Sequence, residues 1–141
     1  MVQLFNFHPS HLHLAKGIGW SPDVLSGIVD RVGDKDWIVL SCVSRGILQA
    51  VFAGKRIQVG VFECLMLPCE GFGNISLHKG AIAAMEYAHK TFGIHRFQAT
   101  VECGFEKGIE WLKRLGFKQE GILKDYDSIT RKDHEIYGRV M

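Results

Sequence analysis

The chain has 141 residues, of which 47% are apolar and 23% charged, and its formal net charge is +2. This composition is typical of a globular protein and excludes a disordered chain, and the length predicts a single domain over residues 1–141. The small, scattered charge does not indicate nucleic-acid binding, and no apolar run is long enough for a membrane helix. Because the sequence shows no signal-peptide pattern, the expected compartment is the cytoplasm. The four cysteines include no Cys-x-x-Cys pair, and we expect them to be free thiols in that reducing compartment.

The first quarter of the chain predicts an extended segment, a loop and a helix. Residues 2–7 form the expected strand, and three histidines follow between His8 and His13 in a loop without a nearby Cys, Asp or Glu to complete a metal site. Ser21-Pro22-Asp23 begins a helix because Ser caps free N–H groups and Pro suits the first turn, and Gly33 ends it. Its predicted buried stripe consists of Val24, Leu25, Ile28, Val29 and Val32.

The next segment predicts antiparallel strands. Residues 37–43, 47–53 and 57–67 are rich in β-branched and aromatic residues. Ser44-Arg45-Gly46 and Gly54-Lys55 separate them and are the predicted turns. We therefore expect two successive hairpins.

A glycine-bearing turn, Gly71-Phe72-Gly73-Asn74, connects the third strand to a helix predicted from Ser76 to Phe92. Backbone N–H groups at the start of a helix attract anions, and glycine lets a ligand approach closely. The turn therefore suits a pyrophosphate, although an ordinary connection between a strand and a helix would look the same. The predicted buried stripe of the helix consists of Leu77, Ala81, Met85, Ala88 and Phe92.

The last third predicts a strand at residues 97–101, a short helix, and two strands at residues 119–126 and 134–140. Apolar residues recur in the helix at intervals of three and four, and cationic residues occupy its last turn. Gly116 ends it as a left-handed cap, after which Phe117 folds back onto the apolar stripe. That stripe consists of Phe105, Ile109, Leu112 and Leu115.

The end of this helix resembles the GNAT acyltransferases, in particular the branch that acetylates protein N-termini and small amines. The resemblance rests on Leu115-Gly116-Phe117, Glu120-Gly121, Asp133 and Tyr137, and it covers about a quarter of the chain. It implies a single α/β (α+β) domain with a mixed, mostly antiparallel central sheet flanked by helices. It also implies transfer of an acetyl group from acetyl-CoA to an amine of a protein or a small molecule.

The resemblance also assigns the cofactor-binding turn. Gly71 and Gly73 match the two glycines of the family's motif, but Pro68 stands where the family has Arg or Gln. Phe105 replaces an Asn that lies near the pantetheine arm in the family, so Phe105 either contacts that arm or belongs to the core. Leu112 stands where some members have a Tyr that acts as general acid.

Acyl transfer from a thioester to an amine needs a neutral amine, a polarised carbonyl and a proton for the leaving thiolate. Glu63 is the best candidate base because it is the acidic residue of an otherwise apolar strand. The alternative is that Glu63 lies at a solvent-facing or edge position of the strand and has no catalytic role. The reserve base is Glu102, and the reserve acid is Tyr126 or Cys103. The backbone N–H groups expected to polarise the carbonyl are those of Leu65, Met66 and Leu67, provided that the strand splays from its neighbour.

Two other functional classes remain open in the sequence. A catalytically silent member of the same fold would act as a binding module and expose an apolar patch, around Phe72 or along the Ile47–Phe52 strand. A nucleic-acid module ranks last because no stacking motif is visible. The chain is short for the family's N-terminal acetylating branch, so a homodimer could supply part of the substrate-side wall.

Overall fold

A computed structural model describes residues 2–71 and 73–141, and the side chain of Asn74 also lies outside the description. Within these residues seven strands form one sheet in the order β1-β2-β3-β4-β5-β7-β6. The strands are β1 Gln3–Asn6, β2 Trp37–Ser44, β3 Ile47–Gln58, β4 Val61–Pro68, β5 Arg96–Glu102, β6 Lys118–Leu123 and β7 His134–Val140. The helices are a 3-10 helix at Pro9–Leu14, α1 Pro22–Asp30, α2 Asn74–Phe92 and α3 Glu106–Arg114.

The sheet is mostly antiparallel, with a parallel pair between β4 and β5. That pair is parallel because α2 carries the chain back across the sheet before β5 begins. The mixed α/β architecture with flanking helices is the one that the sequence predicts.

Each face of the sheet has its own apolar core. On one face α2 and α3 pack over the sheet, burying Met85 and Ile109 together with Phe97 of β5. On the other face the 3-10 helix and α1 cover β2 and β3, where Ile28 lies against a second cluster that includes Leu48. Leu48–Phe52 of β3 are buried, so the predicted exposed apolar patch on the Ile47–Phe52 strand is wrong.

The second hairpin turns later than the sequence predicts. β3 continues through Gly54 to Gln58, and the turn lies at Val59-Gly60, where Gly60 has φ +77°. Gly54 is a strand residue opposite Cys64, and a Cβ there would lie 2.7 Å from Cδ2 of Phe62. Gly54 therefore makes room for the ring of Phe62 on the next strand and does not form a turn.

The helix α1 begins as predicted but is shorter and less buried. Ser21 caps it, with its Oγ accepting a hydrogen bond from the N–H of Val24 at 3.3 Å. The helix ends at Asp30, before Gly33, and the predicted stripe is too wide because Val24 and Val32 are exposed. Ile28 is its buried residue.

The histidine segment is a 3-10 helix rather than a loop. Nδ1 of His8 accepts the N–H of Ser10 at 3.1 Å and caps the first turn, while Nδ1 of His11 lies 2.9 Å from Oγ of Ser41. Hydrogen bonds within the protein therefore engage the side chains of His8 and His11. In the part of the chain described, no group of three or more His, Cys, Asp or Glu side chains could hold a metal ion.

The two later helices follow their predicted patterns closely. α3 ends as expected: Gly116 has φ +89°, and the Phe117 N–H donates to the Leu112 carbonyl, with Phe117 buried. In α2 the predicted stripe is buried at its centre, but Phe92 is exposed at the last position. None of the described helices is long and apolar enough to cross a membrane. All four cysteines are free thiols.

Candidate functional site

The parallel strands β4 and β5 diverge halfway along their length. Their pairing runs from Val61 opposite Arg96 to Glu63 opposite Gln98, yet β4 continues to Pro68 and β5 to Glu102. The second half of β4 therefore keeps its partner β3 on one side and faces a gap in the sheet on the other, at the end of which Nε1 of Trp20 donates to the carbonyl of Pro68 at 2.8 Å. This is the splay on which the predicted carbonyl-polarising role depends.

The alternation of hydrogen bonds along β4 identifies the backbone group that faces this gap. The N–H of Cys69 donates to the carbonyl of Gln49 on β3 at 2.8 Å. Because orientation alternates along an antiparallel pair, Leu67 and Leu65 also direct their N–H groups toward β3. The N–H of Met66 points toward the gap, and Pro68, which follows it on that side, has no N–H to offer.

Glu63 lies where the two strands separate. Its neighbours across the sheet are Lys55 on β3 and Gln98 on β5, and its side chain is half-buried. The side chain of Phe62 points into the core under α2, so Glu63 projects from the opposite face. The carboxylate thus lies where the gap begins, on the same face of the sheet as the exposed Leu65.

The turn after β4 opens onto solvent at the first turn of α2. Glu70 fixes the turn, with its N–H donating to the carbonyl of Gly17 at 2.8 Å. Gly71 has φ +87°. Gly73 is the N-cap residue of the 19-residue helix α2. A Cβ on Gly73 would meet no atom of the other described residues within 4 Å, its chain neighbours apart. Phe72 and the side chain of Asn74, both predicted to contact cofactor, lie outside the described residues.

A cation lies beside this turn. A Cβ on Gly71 would lie 3.3 Å from Cδ of Lys16, which places that lysine alongside the glycine. No sequence pattern indicates this contact, because 55 positions separate the two residues along the chain. A positive side chain therefore accompanies the turn, although Pro68 replaces the Arg or Gln of the family's motif.

A cavity of about 520 Å³ lies at the carboxyl end of β5. It is lined by Glu102, Cys103, Gly104, Phe105, Lys132 and Asp133. Phe105 is 53% exposed, so the expectation that it belongs to the core is wrong. Its ring rests on Gly108, where a Cβ would lie 2.7 Å from Cδ1 of Phe105. The small residue at position 108 thus allows Phe105 to form a wall of this cavity.

The reserve acid and base lie away from Glu63. Glu102 is four residues beyond Gln98 on β5, about 13 Å along the strand, and its carboxylate pairs with Nζ of Lys132 at 3.1 Å. Tyr126 is 46% exposed, and its ring centroid lies 5.0 Å from that of His134. The structure therefore does not bring the three predicted catalytic side chains into one cluster.

Comparisons with known proteins were made by sequence and by structure. No family model and no curated protein matches the chain. A chimera of the spermidine N-acetyltransferase SpeG from Vibrio cholerae and hSSAT superposes with a TM-score of 0.80 at 13% identity, over 99% of this chain and 95% of that one. RimL, a ribosomal L7/L12 alpha-N-protein acetyltransferase, gives 0.80 at 14% identity, over 99% and 90%. The chain has the GNAT acetyltransferase fold.

A mutant form of the spermidine/spermine N-acetyltransferase SpeG from Vibrio cholerae gives the same result, with a TM-score of 0.79 at 12% identity over 99% of this chain and 95% of that one. The divergence of β4 from β5 and the turn before α2 therefore lie within a complete GNAT fold. The resemblance inferred from the Leu-Gly-Phe segment is confirmed at the level of the fold.

Two polar residues of the GNAT-like segment serve the structure. Tyr137 is buried, and burial together with its hydrogen bond to Glu135 at 3.1 Å raises its pKa. Asp133 accepts the backbone N–H of Asp125 at 2.8 Å and pairs with Lys124, and these contacts hold the pKa of Asp133 below its usual range. Asp133 thereby ties the loop before β7 to the rim of the cavity at the carboxyl end of β5.

Proposed function

We propose that this protein transfers an acetyl group from acetyl-CoA to an amine of a protein or a small molecule. The observation that carries the proposal is the gap between β4 and β5, which leads from Glu63 to the open first turn of α2. An elongated thioester substrate needs such a channel, with an anion site at one end and a general base near the other.

The turn before α2 fits the diphosphate of the coenzyme. Gly71 adopts a left-handed conformation and Gly73 leaves its side open, so backbone N–H groups at the start of α2 are accessible to a ligand. The partial positive charge of a long helix favours an anion there, and Lys16 adds a full charge beside the turn. Acetyl-CoA bound in this way supplies the reactive thioester.

The gap itself supplies the groups for the reaction. The N–H of Met66 points toward it and is the donor that we assign to the thioester carbonyl oxygen, on which negative charge develops as the amine attacks. Glu63 accepts the proton that the attacking nitrogen must lose, directly or through water. The C–N bond then forms as the C–S bond breaks, and the departing thiolate takes up a proton.

The coenzyme step can be tested by thermal unfolding of the whole chain with acetyl-CoA, with desulfo-CoA and without ligand. A ligand that binds the native state at about 100 times its Kd should raise the melting temperature by roughly 5–10 °C. Desulfo-CoA retains the diphosphate and should give a similar shift. If neither compound changes the melting temperature, the coenzyme proposal is wrong and a catalytically silent binding module becomes the better interpretation.

A further inference from the structure

Another cavity, of about 620 Å³, lies beside the first half of α2. It is bordered by the first half of α2, the turn between β2 and β3, and the residue before β1. Its polar lining consists of Lys16, Ser44, Arg45, Gln49, Ser76 and Lys79. The volume falls in the range of small-molecule sites.

Gln49 is the polar group that points to a ligand. Its side chain is 5% exposed, and its Oε1 is buried with no hydrogen-bond donor among the described residues within reach. A buried, unpaired amide oxygen is costly, so its persistence next to a cavity calls for a donor that enters the cavity, either a water molecule or a ligand.

A β-bulge explains the position of Gln49. The register shifts between Cys42 and Val43, which pair with Ala50 and Leu48, so Gln49 is the extra residue of β3. Bulges redirect a side chain that would otherwise alternate between the two faces of the sheet. Here Gln49 lines the cavity while its carbonyl still binds the N–H of Cys69.

The charge of the lining is positive. Arg45 and Lys79 face the cavity from opposite sides, and neither forms an ion pair with the described residues. None of the described residues that line it carries a carboxylate. Arg45 has φ +54° in a two-residue turn with Gly46, a position that favours Asn or Gly, so an arginine is held there at a conformational cost.

We propose that this cavity binds a small organic anion that also carries an N–H or O–H group. Arg45 and Lys79 would meet the carboxylate or phosphate of such a ligand, because guanidinium and ammonium groups form charge-assisted hydrogen bonds with these anions. Oε1 of Gln49 would accept the hydrogen bond from the hydroxyl or amine. The cavity adjoins the turn assigned to the coenzyme at Lys16 and Ser76, whereas Arg45, Gln49 and Lys79 lie outside the residues assigned to the coenzyme.

The test uses nuclear magnetic resonance on the full ¹⁵N-labelled chain, with glycerol 3-phosphate as the probe that combines an anion with hydroxyl donors. Inorganic phosphate supplies the anion alone and glycerol the donors alone. Glycerol 3-phosphate should give saturable shifts of the Gln49 side-chain amide and of the Arg45 and Lys79 backbone amides, at a Kd roughly fivefold below that of phosphate.

Three variants separate the contributions. Gln49→Leu should remove the advantage of glycerol 3-phosphate over phosphate, whereas Arg45→Asn and Lys79→Gln should weaken both by roughly fivefold. Asn suits the left-handed turn at position 45, so that variant should remain folded. Lys90→Gln is the matched control, because Lys90 is an exposed lysine of the same helix outside the lining.

Two results would overturn the inference. One is an unchanged Kd in all three lining variants. The other is a titration in which only the amides of Gly71 and Gly73 shift, because the probe would then occupy the turn assigned to the coenzyme. Neither result depends on whether acetyl-CoA binds, so failure of this proposal is distinguishable from failure of the acetyltransferase proposal.

Discussion

Glu63 and Gln98 form the last pair before β4 and β5 separate, and the role of Glu63 can be tested by one substitution. Glu63→Gln keeps the size of the side chain and removes its ability to accept a proton from the amine. We expect turnover with an amine acceptor to fall by about 100-fold or more, while the melting-temperature shift caused by acetyl-CoA stays the same. Equal turnover in the variant and the parent would remove Glu63 from the mechanism. Glu86→Gln, on the exposed face of α2, is the control.

The four cysteines differ in how far solvent reaches their thiols. Burial raises the pKa of Cys42 and Cys64 to about 12 and that of Cys69 to about 11. Desolvation and the nearby carboxylates of Glu135 and Asp133 also raise the pKa of Cys103, but its thiol is exposed on the cavity at the carboxyl end of β5. Since the thiolate is the reactive form, a disulfide reagent at pH 8 should label Cys103 in the native protein and the other three after unfolding. Cys103→Ser should abolish the native reaction, and labelling of a second thiol without unfolding would contradict the structure.

At the scale of elements, local patterns predict the helices and most strands because their determinants are themselves local. The end of α3 follows from Leu115-Gly116-Phe117, where a left-handed glycine stops the helix and an aromatic residue returns to its stripe. Gly54 shows where this reasoning fails. It looks like a turn residue in the sequence, but it lies in the interior of a strand, where the ring of Phe62 on the next strand leaves no room for a Cβ. Contacts between strands decide such positions.

The start of α2 allows a prediction in which stability and affinity change in opposite directions. Gly73 has an extended backbone with φ −79°, which any residue can adopt, and it offers no side chain to cap the helix. Gly73→Asp should add a cap and a favourable charge, increasing the free energy of unfolding by a few tenths of a kcal/mol. The same carboxylate would occupy the anion site, so the affinity for acetyl-CoA should fall by about tenfold or more.

Calorimetric titration with acetyl-CoA and urea unfolding measure these two quantities for Gly73→Asp. Ser21→Ala is the matched control at the start of α1, because it removes an existing cap. It should lower the free energy of unfolding by about 1 kcal/mol and leave coenzyme affinity unchanged. Undiminished affinity in Gly73→Asp would show that the coenzyme does not use this turn.

At the scale of the whole molecule, the candidate site depends on features that the sequence does not reveal locally. The residues of β4 and the glycine turn are predictable from composition and order. The point at which β4 leaves β5, and the contact of Lys16 with Gly71, depend on how distant segments assemble. The β-bulge that directs the side chain of Gln49 toward the cavity likewise depends on the register between β2 and β3.

The stability of the whole chain should depend on pH in a way set by a few named groups. On the acidic side, Arg96 donates a hydrogen bond to Glu120 at 2.9 Å and lowers the pKa of the Glu120 carboxyl. Hydrogen bonds from backbone N–H groups likewise lower the pKa of Asp127 and of Asp133. Carboxyls with lowered pKa values contribute stability above their ordinary pKa and lose it as the pH falls through the lowered one. The free energy of unfolding should therefore decline below about pH 4.5.

On the alkaline side the sign is reversed. Buried thiols such as Cys42 and Cys64 have raised pKa values, so the unfolded chain loses these protons first, above about pH 9, and unfolding is then favoured. Urea unfolding across this range should give a plateau between about pH 5 and about pH 8, with a decline on each side. The double variant Glu120→Gln with Asp133→Asn should flatten the acidic decline and leave the alkaline one in place. An acidic decline as steep in that variant as in the parent would show that other carboxyl groups control acid unfolding.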